Sequence, residues 1–191
     1  VASRGVSVSR EDYGMSVAVY GLKDTMKALR LMSPDIAKQF TREIRDAIMP
    51  VQTLSRSKVP QRAMRNWDDG GTGEWSQRLG WNATKVRRGI TIKQGGRGRG
   101  GTGVSVAWKI TNKDAAGAIF EIAGRKSSGS TRAGISFRSN LTYKGGRASR
   151  LIWQAWDELG GDQHITPKVV EIADRASATA QALMNAANDK G

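Results

Sequence analysis

Few residues in this chain have the types and spacing that chemistry uses. Gly98, Gly100 and Gly103 spell G-x-G-x-x-G. That turn cradles a dinucleotide pyrophosphate when it joins a strand to a helix N-terminus. Here strand-like sequence lies on both sides, so the motif reads as a hairpin tip. GRKSSG at 124–129 places Arg125 where a phosphate loop needs glycine before lysine, and it reads as a basic loop. Asp68, Asp69 and Glu74 stand beside Trp67 and Trp75, the residue types of a glycosidase carboxylate pair. Such a pair works only at a fixed separation on a rigid frame, whereas these acids sit among Gly70, Gly71 and Gly73. A solvated turn is the simpler reading.

His164 is the one histidine, and there is no cysteine. Serine triads, histidine-rich metal sites, thiolate zinc sites and disulfides therefore lack their components. Asn82-Ala83-Thr84 and Asn140-Leu141-Thr142 match glycosylation letters, but the opening residues do not read as a secretion signal. The expectation is a protein that is not an enzyme, with no cofactor, no metal and no membrane association.

The elements that would position any site come from the periodicity. At 191 residues, with 38% hydrophobic residues and 23 glycines, one domain with a modest core and long glycine-rich loops is expected. Residues 1–16 read as an N-terminal arm. Residues 17–191 read as a single α+β domain with basic loops at about 95–103 and 124–150. Val17 and Val19 alternate as in a strand. Leu22, Met26 and Leu29 follow at helical spacing. Ser33 is placed to cap the next helix, with Pro34 in its first turn. Ile36, Phe40, Ile44, Ile48 and Val51 give that helix a long apolar stripe, and Pro50 inside it predicts a kink or a split. Residues 61–83 read as a loop. TKVRRGITIKQ and GVSVAWKIT predict the two strands of a long hairpin, with Trp108 in the core. KDAAGAIFEIAG and LIWQAWDELGG predict short helices, the second closed by Gly160 and Gly161 and burying Trp153. Thr166 as cap and Pro167 open a last helix with Val169, Ile172, Ala173, Ala176, Ala180, Leu183 and Ala187 on one face. Together these give helices at both ends around a small antiparallel sheet.

Charge is the strongest signal. The chain carries 31 basic and 17 acidic residues, a net charge of +14. Residues 85–150 hold 15 basic and 2 acidic of these, a net of +13, and the rest of the chain nets +1. Such a field draws polyanions or acidic protein surfaces without choosing between them. Arg97, Arg99, Arg125, Lys126, Arg132, Arg138, Lys144 and Arg147 are the candidate contacts to a partner or to DNA. Trp67, Trp75, Trp81 and Trp156 are candidate interface aromatics, since exposed tryptophan favours interfaces. The basic blocks contain almost no aromatics (Phe137 and Tyr143), so a base-stacking platform is not visible.

VYGLKDTMKALRLMSPDIAKQFTREIRDAI resembles the start of the neck, or tail-completion, proteins of long-tailed bacteriophages. In that family a short strand and a "G-L" phrase lead into a helix, then a long helix ending near a proline, here Pro60. GEWSQRLGW stands where the family has "G-x-L". KDAAGAIFEIAG, with Glu121, stands where it has an alanine-rich helix carrying an acidic residue. GRASRLIWQAWDELG and the segment from Thr166 resemble its closing phrase and last helix, so the resemblance runs over roughly residues 17 to 188. The chain departs from the family in Ile122-Ala123-Gly124, where Gly-Thr is common, and in the length of the basic segment 124–150. The resemblance implies a non-enzymatic virion component at the head–tail junction, made in the host cytoplasm. It would assemble as a homo-oligomeric, hexameric ring with connector (head-closure), tail-terminator or tail-tube subunits, in reach of packaged DNA. A stand-alone nucleic-acid-binding protein is the alternative.

Overall fold

The computed structural model describes residues 6–11, 14–19, 22–63, 79–94, 106–122 and 151–189. Four strands form one antiparallel sheet: β1 (Val6–Glu11), β2 (Gly14–Val19), β3 (Ile90–Gln94) and β4 (Val106–Asn112), in the order β1-β2-β4-β3. The helices are α1 (Leu22–Met32), α2 (Pro34–Ser57), α3 (Ala83–Gly89), α4 (Ala115–Ile122), α5 (Ile152–Glu158) and α6 (Thr166–Asn188). The fold is α+β, as expected.

The register decides which face of the sheet meets the helices. Val6 opposes Val19, Val8 opposes Val17, Met15 opposes Ile110 and Ile110 opposes Ile92. Directly opposed residues share a face, so one face is an apolar row whose central members Met15, Val17, Val19, Trp108 and Ile110 are buried. The alternate residues Ser7, Ser16, Lys109, Thr111, Thr91 and Lys93 belong to the other face. Segment 6–11 is thus an edge strand, where the sequence reading had an arm. Val6 and Val8 pack against the core at period two, which gives the segment a place in the sheet.

α2 is the central helix, touching α1, α5, α6 and β3. It runs unbroken through Pro50, where a kink or split was expected. Proline removes one backbone donor and clashes with the preceding turn. Here, however, Ile44, Ile48 and Val51 lie on one fully buried stripe that spans the proline, and Pro50 itself is on the exposed side. Burial of that stripe on both sides of Pro50 outweighs a local cost of about 3 kcal/mol.

Three local expectations are corrected. Residues 84–89 are the helix α3 and not the start of a strand. The Asn82 side chain accepts from the Lys85 N–H at 3.0 Å, an N-cap, and Ala83 and Val86 are buried one turn apart. Ser33 makes no side-chain cap, although Pro34 does occupy the first turn of α2. Thr166 does not cap α6 either. A π-helical turn, Gly161–Ile165, runs straight into the helix, and the Thr166 N–H donates to the Gly161 carbonyl. With its backbone partners supplied from that turn, the helix needs no side-chain cap. Gly160 makes the entry, at φ +58°, a left-handed conformation that glycine adopts without strain.

Candidate functional site

The basic middle of the chain is carried on a frame with two polar joints, one partly buried and one buried. The first joint is the step from α3 into β3. Three donors from α2 converge on the Ile90 carbonyl: Gln52 Nε2 at 2.8 Å, Arg56 Nη2 at 2.8 Å and Arg56 Nε at 3.2 Å. Arg87 Nη2 on α3 donates to the Val59 carbonyl at 3.1 Å. Arg56 and Arg87 therefore act as clamps holding the start of the β3–β4 hairpin to the end of α2. Charge-assisted bonds of this kind are the stronger ones.

The second joint is Glu121, at the end of α4. It is 2% exposed. Its Oε1 accepts from the Ile152 N–H at 2.6 Å and its Oε2 from the Leu151 N–H at 2.9 Å. The first N–H groups of a helix have no intrahelical partner, and a carboxylate there also meets the favourable end of the helix dipole. One side chain thus fastens the chain just before residue 123 to the chain just after residue 150. The sequence places an acidic residue here but gives no sign of this pairing, because its partners are backbone groups about 30 positions away.

Around the second joint the packing is tight. Trp153 Nε1 donates to the Gly14 carbonyl at 3.3 Å, tying α5 to the start of β2. Gly14 has no room for a side chain, because a Cβ there would lie 1.9 Å from the Ile110 carbonyl oxygen. Asn112 is buried between Gly89 and Gly117, where added Cβ atoms would meet its amide group at 2.3 and 2.1 Å. Its Oδ1 accepts from the Asp114 N–H at 3.1 Å, and Asp114 Oδ1 accepts from the Gly117 N–H at 2.9 Å. The turn from β4 into α4 is fixed by these bonds.

Two of the interface aromatics are corrected. Trp81 and Trp156 are core residues, 3% and 1% exposed. Trp81 Nε1 donates to the Pro60 carbonyl at 3.1 Å, and its ring tilts against Phe120 with centroids 5.0 Å apart. Trp156 meets Trp153 edge to face at 6.4 Å. It fits because Gly161 has no side chain, a Cβ there lying 2.1 Å from the indole. An indole offers more area to bury than any other side chain, so in a chain with few large apolar residues it goes inside. Trp67 and Trp75 lie outside the described residues, as do Asp68, Asp69, Glu74, Gly98, Gly100 and Gly103. Arg97, Arg99, Arg125, Lys126, Arg132, Arg138, Lys144 and Arg147 also lie outside them.

The described part of the basic region shows a feature that the one-dimensional charge count did not resolve. Lys93 on β3 stands directly opposite Lys109 on β4. Lys113 follows just past the end of β4, its N–H donating to the Gly89 carbonyl at 3.0 Å. The charge of Lys93 is the main cause holding the Lys113 ammonium below its ordinary value, with desolvation and a contact between the two side chains adding to it. Like charges have been brought together on the outer face of the hairpin.

Among the described residues no group of acidic or histidine side chains could hold a metal ion. No described helix is long and apolar enough to cross a membrane. No family model, curated protein or solved structure matches the chain.

Proposed function

We propose that this chain is a structural protein of a bacteriophage virion, acting at the head–tail junction as a neck or tail-completion subunit in a homo-oligomeric ring. The observation that supports it most is the way the frame carries its basic segments. Residues 95–103 and 124–150 are joined to the frame at a partly buried clamp on the β3–β4 hairpin and at the buried Glu121 carboxylate on the Leu151 and Ile152 N–H groups. Basic segments joined to the frame at fixed ends suit contact with acidic surfaces of neighbouring subunits.

In this role the arginines of the basic segments meet carboxylates of neighbouring subunits, because the planar guanidinium fork makes geometric pairs. The partners are connector, tail-terminator or tail-tube proteins. The test is a phage in which this gene is interrupted. Filled heads and separate tails that fail to join are expected, and normally joined, infectious particles would overturn the reading. The alternative of a stand-alone nucleic-acid-binding protein predicts that the chain is absent from purified particles.

A further inference from the structure

We infer that the open cavity along the first half of α6 is a docking site for the arginine-bearing segment 124–150 of a second copy of this chain. This contact rests on the ring proposed above and supplies the surface on which one copy meets the next.

The cavity has a volume of about 590 Å³ and is lined, among the described residues, by Thr166, Pro167, Val170, Glu171, Asp174 and Arg175. Pro167 and Val170 give it an apolar wall, and Glu171 and Asp174 add two carboxylates. The cation beside them is committed elsewhere. Arg175 Nη2 donates to Glu43 at 2.6 Å, while its Nε stays 3.9 Å from Glu171. Asp174 is exposed and has no ion-pair partner among the described residues. Thr166 Oγ1 is buried without a hydrogen-bond partner. These acceptors beside an apolar wall suit arginine. Its planar fork pairs with carboxylates and has donors to spare, and its methylene stem lies along apolar surface.

Charge selects the occupant. Residues 157–174, which include this part of α6, hold five acidic residues and one basic, a net of −4. Residues 124–150 hold seven basic residues, five of them arginine, and no acidic one, a net of +7. The basic segment of one copy and the α6 cavity of another are thus complementary. A contact between two different surfaces of the same chain is heterologous, and it repeats from copy to copy until the rotation closes a ring.

The experiment titrates the full chain into a labelled peptide of residues 124–150 and reads fluorescence anisotropy at low salt, where exposed charge pairs are least screened. It compares wild type, Glu171→Gln/Asp174→Asn and the control Asp24→Asn/Asp46→Asn, which removes the same charge from exposed positions of α1 and α2. The cavity pair should weaken binding about fivefold to tenfold, the size of two exposed ion pairs, and the control should change it less than about twofold. A peptide with every arginine replaced by lysine should bind the wild-type chain more weakly, because the fork is lost at equal charge. Equal weakening by both pairs of substitutions would mean that only net charge matters and would overturn the site. So would equal binding of the two peptides. Failure of the peptide to bind the wild-type chain would also overturn it, including the case in which the chain's own segment fills the cavity. Circular dichroism melts of each variant distinguish loss of the site from loss of the fold. The interrupted-gene phage tests the virion role separately, so a negative titration removes this contact and leaves that reading standing.

Discussion

At the scale of single residues, Glu121 is the most consequential side chain in the described structure. Removing it leaves two backbone N–H groups buried without partners, and each such orphan costs about 1–3 kcal/mol. Glu121→Ala should lower unfolding free energy by about 2–5 kcal/mol, read by urea denaturation, and Glu121→Gln should cost less because one amide oxygen still accepts. A loss below about 0.5 kcal/mol, the size of an ordinary surface change, would mean the cap is not made. Lys113 gives a second test through pH. Its folded-state value lies below the ordinary 10.5, so just below 10.5 the unfolded chain binds more protons than the folded one. Stability must then rise with pH through that interval. Lys113→Gln should flatten the rise in melting temperature, and an unchanged profile would remove the Lys93–Lys113 repulsion from the account. These residues also mark the limit of reading from sequence. Trp153 and Trp108 could be placed in the core from their helical and strand positions. Trp81 and Trp156 could not, because their sites depend on Pro60, Phe120 and Gly161, which are not neighbours in any periodic pattern.

At the scale of elements, amphipathic stripes were legible and local switches were not. Leu22, Met26 and Leu29 marked α1, and Val169, Ile172, Ala173, Ala176 and Ala180 marked α6, all of them buried. Beyond Ala180 the last turns of α6 are largely exposed, Ala187 included, so the expected stripe outruns the core. The strand expected at 84–89 fell to a single cap, Asn82, whose effect is invisible to an alternation count. The local cost of Pro50 is visible in the sequence, whereas the burial of the stripe that offsets it depends on the packing of α1, α5 and α6 against α2. That balance can be measured. Pro50→Ala restores a backbone donor on the exposed side of α2 and should raise stability by about 1–3 kcal/mol. A destabilised variant would mean that the proline shapes the helix productively. In the same helix, Phe40→Ala or Ile44→Ala should cost about 2–5 kcal/mol as core truncations, whereas Leu31→Ser, at a position 79% exposed, should stay within about 0.5 kcal/mol. Urea titration of the three variants separates the buried face of α1 and α2 from the exposed one.

At the scale of the molecule, the chain is a small α+β frame whose buried core lies in the helices and the sheet, and the proposed function puts its partners on the basic segments. Shortening residues 96–102 should therefore change the melting temperature little, since loop-closure entropy varies slowly with length. A large loss would mean that this segment belongs to the core. The basic character was legible at once from composition, but the clamps (Arg56, Arg87) and the placement of exposed Lys93 opposite half-buried Lys109 required the fold and the register of β3 on β4. If the proposed function holds and the ring closes only on neighbouring virion proteins, the isolated chain should scatter light as a monomer or a weak associate at micromolar concentration. The most direct test of the proposed function is a reconstruction of intact particles with this subunit located in the density. The account predicts a closed ring of copies at the head–tail junction, with residues 95–103 and 124–150 against neighbouring subunits or the DNA channel. Purified, infectious particles that contain no copy of the chain would contradict it.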